Sequence, residues 1–249
     1  MKKVALITGV AGGIGKATAE LFKAKDWCTI GVDRQADFQL DFLNHYICAD
    51  VSDHQAVSQI VKETNQKEGK LDALINNAAI SICKPVLETE IAEWDLIMSI
   101  NLRSAFLLSQ SAYPLLQKSQ GSIVNVSSVH AIATSVNIAA YAASKGGLVA
   151  FTRALAIEWA KDQIRVNAIL PGAVDTAMLD AGLMRGHLSG ANLNQLKQNL
   201  AQKTVIGKIG KPQEIAQGIL FLADNNQSSF MTGQSIVVDG GATARLSTE

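Results

Sequence analysis

A hydroxyl, a phenol and an ammonium stand at Ser128, Tyr141 and Lys145. Ser128 closes the apolar run I-V-N-V-S-S; Tyr141 follows thirteen residues later, and Lys145 four residues after that. With Tyr141 opening a helix, positions i and i+4 share a face, so phenol and ammonium project the same way. A phenol loses its proton near a pH of about 10, and a cation within about 4–6 Å favours the phenolate. The pair reads as an acid–base catalyst working near neutral pH, with Ser128 holding the oxygen it acts on. The Tyr-x-x-x-Lys spacing alone also describes an ordinary helix start with an exposed lysine, so its meaning rests on the surrounding elements.

Seven short apolar, β-branched segments read as strands: Val4–Thr8, Thr29–Asp33, Tyr46–Val51, Ala73–Asn77, Ser122–Ser127, Arg165–Leu170 and Ser235–Asp239. Helical patterns separate them at Ile14–Lys25, His54–Lys67, Ile91–Gln117, Tyr141–Lys161 and Pro212–Asp224. Such alternation predicts an α/β fold with a parallel sheet covered on both faces. No linker, low-complexity stretch or internal repeat divides the 249 residues, so a single domain is expected over 1–249. The longest departure, 172–210, has uneven Met, Leu and Gly content and reads as a lid or pocket wall. Within it Met178, Leu179, Leu183 and Met184 have the spacing of a short one-faced helix, with Gly182, Gly186 and Gly190 as hinges.

The first turn, T-G-V-A-G-G-I-G over Thr8–Gly15, follows a strand and opens a helix. That is the context a dinucleotide fingerprint requires. Gly9 permits the tight turn, Gly13 lets backbone approach a pyrophosphate, and Gly15 allows helix to meet strand. Gly12, Gly13 and Ile14 then present free N–H groups and a positive dipole end to the phosphates. Asp33, ending the second strand, is placed to accept from both adenosine ribose hydroxyls and to repel a 2′-phosphate. Arg34 opposes this by attracting a phosphate, but Ala11 and Gly12 add no second cation, so NAD is favoured over NADP. Asp50 and Val51 close the third strand, where the carboxylate either reaches the adenine amino group or caps the strand end. Asn76, Asn77, Ala78 and Ala79 bridge the sheet to a cofactor or tie down a loop. Asn101, an amide within an apolar helical pattern, is either a satisfied buried group or a functional kink. Pro171 stops the sixth strand, Gly172 lets backbone turn close to a ligand, and Val174 and Thr176 follow as contacts to the nicotinamide carboxamide.

Lys+Arg and Asp+Glu both number 22, and this balance favours neither nucleic acid nor an anionic membrane. Cys28, Cys48 and Cys83 have no metal-ligand spacing, and an odd, sparse set suits a reducing compartment. No stretch approaches the roughly 18 apolar residues of a spanning helix, and the apolar run after Lys2 and Lys3 is short for a signal peptide. The cytoplasm is therefore expected. No cluster along the chain suggests a catalytic metal. His130, two residues past Ser128, either faces substrate or is an ordinary loop histidine; the latter is the reading for His187 in the excursion.

These motifs together resemble the short-chain dehydrogenase/reductase family over nearly the whole chain: T-G-x-x-x-G-I-G, N-N-A at Asn76–Ala78, S-I-N at Ser99–Asn101, Ser128, Y-A-A-S-K at Tyr141–Lys145, Pro171-Gly172, and D-G-G at Asp239–Gly241. The resemblance implies a Rossmann-type doubly wound sheet and a tetrad of Asn101, Ser128, Tyr141 and Lys145. Tyr141 would exchange a proton with the substrate oxygen while hydride moves to or from nicotinamide. Lys145 would tune Tyr141 and bind the nicotinamide ribose, and Asn101 would hold a relay water. It also implies a homotetramer, for which Ala142, Ala143, Gly146, Gly147 and Ala150 offer a small-residue surface, unless these residues pack on their own sheet. One departure is Ala79, where the family usually has glycine. The expected activity is an NAD-dependent secondary-alcohol dehydrogenase or ketone reductase acting on a small polar substrate. A 3-oxoacyl reductase working on acyl carrier protein is the alternative, and a non-catalytic cofactor sensor on the same fold is the remote one.

Overall fold

Five consecutive buried residues, Val4–Thr8, form β1 in the middle of a seven-stranded sheet. The computed structural model describes residues 2–36, 41–184 and 192–244. Its other strands are β2 (Cys28–Asp33), β3 (His45–Cys48), β4 (Ala73–Asn76), β5 (Ser122–Val126), β6 (Arg165–Pro171) and β7 (Ser235–Val238). They lie in the order β3-β2-β1-β4-β5-β6-β7, and all six pairings are parallel. Parallel neighbours cannot be joined by a tight turn, and apart from the β2–β3 connection the described strands are linked through helices over the faces. The helices are α1 (Gly13–Ala24), α2 (His54–Glu68), α3 (Ile91–Met98), α4 (Ser104–Ser119), α5 (Ala139–Glu158), α6 (Ala177–Met184), α7 (Leu193–Ala201), α8 (Pro212–Ala223) and α9 (Asn225–Ser228). The parallel α/β architecture and all seven expected strands are present.

Alternate residues of each strand enter opposite cores, because the side-chain period of a strand is two. Leu6, Ile30, Leu74 and Ile123 meet Val57 and Ile60 of α2 and Leu108 and Leu116 of α4. Ala5, Ile7, Ile75 and Val124 meet Phe22 of α1 and Ile215 and Ile219 of α8. Phe22 is fully buried with its ring edge-on to Trp27. Truncating such a side chain to alanine costs about 3–5 kcal/mol, so these two layers hold the carboxyl ends of the strands in place. The strand order reverses between β1 and β4, and the crevice outside the strand ends at such a point is where doubly wound sheets bind ligands.

Two local expectations are corrected and a third is met. The third strand stops at Cys48, so Asp50 and Val51 lie beyond it. Asp50 Oδ1 accepts from the Ser52 N–H and Oγ at 2.8 and 2.7 Å, closing a turn that leads to Asp53, the N-cap of α2. The expected long helix Ile91–Gln117 is interrupted by a π-helical turn, Ser99–Arg103, between α3 and α4. Within 172–210 two helices form, α6 and α7. The expected short helix over Met178, Leu179, Leu183 and Met184 is present as α6, and every residue of it stays at least partly exposed. Gly186, His187 and Gly190 lie outside the described residues.

Candidate active site

The glycine turn is shaped by contacts that exclude side chains. Gly9 and Gly13 take φ of +73° and +53°, the left-handed region that favours glycine. A Cβ on Gly15 would lie 2.0 Å from the Gly9 carbonyl oxygen, because the first turn of α1 crosses directly over the loop. Gly12 differs: its backbone is extended, and a Cβ there would meet no atom within 4 Å. The outer face of the turn is thus open. No side chain caps the N-terminus of α1, so its first N–H groups face that opening. This cradle fits a pyrophosphate.

Neighbouring strand ends brace the turn. Asn77 Nδ2 donates to the Thr8 carbonyl at 2.8 Å and to the Gly9 carbonyl at 3.3 Å, while Thr8 Oγ1 accepts from the N–H groups of Asn77 and Ala78. Of the two sequence readings for Asn77, its side chain serves the loop tie. Asp33 Oδ2 accepts from the Ala11 N–H at 3.0 Å, which fixes the carboxylate at the mouth of the turn. Arg34 beside it is exposed. Asp50 is occupied by its own turn, and Val51 is buried in the core.

Ser128, Tyr141 and Lys145 converge at the end of β5. Tyr141 and Lys145 share one face of α5, both buried, with Lys145 Nζ 5.7 Å from the centre of the Tyr141 ring. Lys145 Nζ donates to the Val126 carbonyl at 2.7 Å. Burial pushes its pKa down to about 7. Tyr141 is shifted upward: burial dominates, hydrogen bonding by Ser128 opposes it, and the Cys83 thiol beside it adds to the rise. The direction is opposite to the depression expected from the Tyr-x-x-x-Lys spacing. Burial disfavours the ammonium of Lys145 as it disfavours the phenolate of Tyr141. His130 stands edge-on to Tyr141, ring centres 5.9 Å apart, with Nδ1 3.1 Å from Thr134 Oγ1.

Asn101 sits in the π-helical turn, 2% exposed. Its Oδ1 accepts from the Ile80 N–H and its Nδ2 donates to the Ile80 carbonyl, both at 2.9 Å. Nδ2 also donates to Ser144 Oγ at 3.1 Å, and Ser144 donates in turn to the Tyr141 carbonyl. Both sequence readings hold together here: the amide is satisfied and the helix is kinked at it, an irregularity frequent at functional sites.

Pro171 ends β6, and a Cβ on Gly172 would come within 2.6 Å of Asp239 Cβ. Gly172 is therefore needed for the approach of the D-G-G segment. Val174 is buried and pairs in a β-bridge with Gly210. The Thr176 methyl would lie 3.1 Å from a Cβ on Gly13, so the start of the 172–210 excursion rests on the glycine turn. Lys197 on α7 reaches both Asp175 and Asp180 at 2.7 Å.

A family model described as enoyl-(acyl carrier protein) reductase matches residues 9–243. The chain belongs to the short-chain dehydrogenase/reductase family. It is 34% identical over 249 residues to meso-2,3-butanediol dehydrogenase of Serratia marcescens, covering 97% of this chain and 95% of that one. It is 35% identical over 250 residues to the 3-oxoacyl-(acyl-carrier-protein) reductase of Thermotoga maritima, covering 96% and 97%. The structure of the aldohexose dehydrogenase of Thermoplasma acidophilum in ligand-free form superposes with a TM-score of 0.93 at 29% identity, over 99% of this chain and 96% of that one.

As a short-chain dehydrogenase/reductase, the chain is an oxidoreductase acting on alcohol or ketone groups, in a family that uses NAD or NADP. Its departure at Ala79 is accommodated, since that residue is not in the left-handed region and has no conformational need for glycine. Sequence reasoning missed the residues that hold the site rather than touch ligand: Ser144, Ser127, whose Oγ donates to the Lys145 carbonyl, and Thr8. Ser144 carried a signal, a hydroxyl three positions after Tyr141 and next to Lys145.

Proposed function

We propose that this enzyme is an NAD-dependent dehydrogenase of a small polar secondary alcohol, reducing the matching ketone in reverse. The observation that carries the reading is the convergence of Ser128, Tyr141 and Lys145 at the carboxyl end of β5, across the strand-order reversal from the open glycine turn. Gly9, Gly12, Gly13, Ile14 and Gly15 hold the pyrophosphate. Asp33, fixed by Ala11, accepts from the ribose hydroxyls and repels a 2′-phosphate. Bound nicotinamide supplies the hydride acceptor or donor. Ser128 Oγ donates to the substrate oxygen, and the Tyr141 phenol exchanges a proton with it. Lys145 turns from Val126 to the nicotinamide ribose and, when charged, stabilises the phenolate. Asn101, held by Ile80 and Ser144, keeps the kink from which the proton relay leaves toward solvent.

Pro171, Gly172, Val174 and Thr176 border the nicotinamide, and α6 of the 172–210 excursion closes over the substrate. The reading extends to a cytoplasmic homotetramer. Leu96, Phe106 and Ile157 are exposed large apolar side chains, and a shallow groove is lined by Leu96, Phe106, Gly147 and Phe151. The small-residue surface on α5 is only partly available for it: Ala143 and Ala150 are exposed, but Gly147 is packed against Leu102 within the chain. The relative from Thermotoga maritima favours a second reading, reduction of a 3-oxoacyl thioester on a carrier protein. Asp33 and the zero net charge speak against the NADP and the basic docking patch that reading prefers.

The test is a panel of diols, polyols, hydroxy acids, cyclic ketones and a 3-oxoacyl thioester, followed by NADH and NADPH absorbance in both directions. Turnover confined to the thioester with NADPH would replace the first reading by the second.

A further inference from the structure

At the amino ends of β2 and β3, the opposite end of the strands from the active site, three metal-ligating side chains of different chemistry meet. Cys28 begins β2, His45 begins β3, and Glu68 is the last residue of α2. The thiol sulfur, an imidazole nitrogen and a carboxylate oxygen all lie within 4.8 Å of one another. Cys28 Sγ is 3.1 Å from Glu68 Oε1, and His45 Nε2 is 3.0 Å from the same oxygen. A tetrahedral zinc ion with Zn–S of about 2.3 Å and Zn–N and Zn–O of about 2.0–2.2 Å separates its ligand atoms by little more than this. The ligands would thus close on an ion with small side-chain movements.

We propose that Cys28, His45 and Glu68 form a binding site for one zinc-class divalent ion, with water as the fourth ligand, clipping β2, β3 and α2 together. The sulfur–nitrogen–oxygen donor set suits a borderline ion and discriminates against magnesium and calcium, which take oxygen ligands. Glu68 ends a helix whose carbonyl end attracts positive charge. On binding, the Cys28 S–H bond breaks, a metal–sulfur bond forms and the proton passes to solvent. His45 binds through Nε2 with its remaining proton on Nδ1, and Glu68 binds as the carboxylate. No electrons are transferred. Burial, assisted by Glu68, holds the Cys28 thiol up at about 12 in the metal-free chain. A coordinating metal nonetheless deprotonates a thiol outright. Two cations act on Cys28, Lys2 and Lys23. Lys2 is paired with Asp26 and Lys23 donates to Asn44, so both are engaged away from the cluster. Cys28 itself is buried, which shelters the metal–sulfur bond, while His45 and Glu68 are partly exposed and leave an entry path.

The experiment titrates tag-free, chelator-treated full-length protein with cobalt(II), then with zinc(II). One equivalent of cobalt should bind with a thiolate-to-cobalt charge-transfer band that zinc abolishes. The band should vanish in Cys28→Ser and persist in Cys48→Ser and Cys83→Ser. Affinity should fall at least tenfold in His45→Gln and Glu68→Gln, whose side chains are exposed enough for the fold to tolerate the change. Zinc should raise the unfolding temperature of the wild type and leave that of His45→Gln unmoved. Absence of the band from the wild type overturns the proposal. So does a band retained in Cys28→Ser, or unchanged affinity in both His45→Gln and Glu68→Gln.

Discussion

Lys145 Nζ lies 5.7 Å from the centre of the Tyr141 ring, yet its hydrogen bond goes to the Val126 carbonyl at 2.7 Å. The two groups occupy one buried face of α5 and are both disfavoured in their charged forms. On the proposed mechanism, proton transfer waits for ligands to draw the ammonium away from β5. Tyr141→Phe should lower turnover by about 10²–10⁴-fold, the usual worth of a positioned acid–base group. Cofactor affinity should stay within a few-fold, because the phenol does not hold the nucleotide. Stopped turnover and a fluorescence titration check both halves, and near wild-type turnover refutes the assignment.

Buried Lys145 also leaves a mark on stability. Its pKa falls from 10.5 to about 7 on folding. Between those values the unfolded chain binds more protons, so stability rises with pH; below the lower value both states are protonated and the cost is fully present. Cofactor-free protein should resist denaturant better at about pH 8.5 than at about pH 7, and Lys145→Met should remove that slope. The comparison stops short of 9.0, where the raised Cys28 thiol begins to act in the opposite sense. A flat or falling profile in the wild type contradicts the burial argument.

Two glycines of one turn should respond oppositely to alanine. Gly15→Ala puts a methyl 2.0 Å from the Gly9 carbonyl and should destabilise the fold by about 3 kcal/mol or more, as overpacking against backbone does. Gly12→Ala meets no protein atom and should fold normally. Its methyl would stand where the pyrophosphate approaches, so cofactor affinity should drop at least tenfold. Denaturation curves and cofactor titrations separate the two, and intact affinity in Gly12→Ala would place the nucleotide elsewhere.

Asp33 should set cofactor choice. NAD(H) is expected to bind more tightly than NADP(H), and Asp33→Ser should narrow or reverse the preference by removing the charge that opposes a 2′-phosphate while leaving Arg34. Tighter NADP(H) binding by the wild type would mean that Arg34 dominates.

The excursion should report on ligand. In α6 no residue is buried, and its described anchors are Lys197 to Asp175 and Asp180 and the Thr176 contact to Gly13. Amides of Ala177–Met184 should exchange faster than those of β6 in the free protein and slow when NAD and substrate bind. Protection equal to β6 in the free protein, unchanged by ligand, would make this segment a permanent wall.

The strands, most of the helices, the glycine turn and the Ser128–Tyr141–Lys145 spacing were legible in the sequence. Each is written in local periodicity, or in a motif whose members are close along the chain. A parallel sheet adds a second kind of legibility, because strands buried on both faces read as unbroken apolar runs. Asn101 marked a kink as one of two readings, but the extent and π-helical form of the break at Ser99–Arg103 were not readable, since they owe their place to the pairing of Asn101 with Ile80, twenty-one residues away. Nor was the direction of the Tyr141 shift: spacing places Lys145 on the right face, but burial and the Val126 carbonyl decide its charge. Cys28, His45 and Glu68 have no ligand spacing along the chain. They meet because the parallel register sets Ile30 opposite His45 and α2 returns to the amino ends of the strands, so only the tertiary structure turns three side chains far apart in sequence into one cluster.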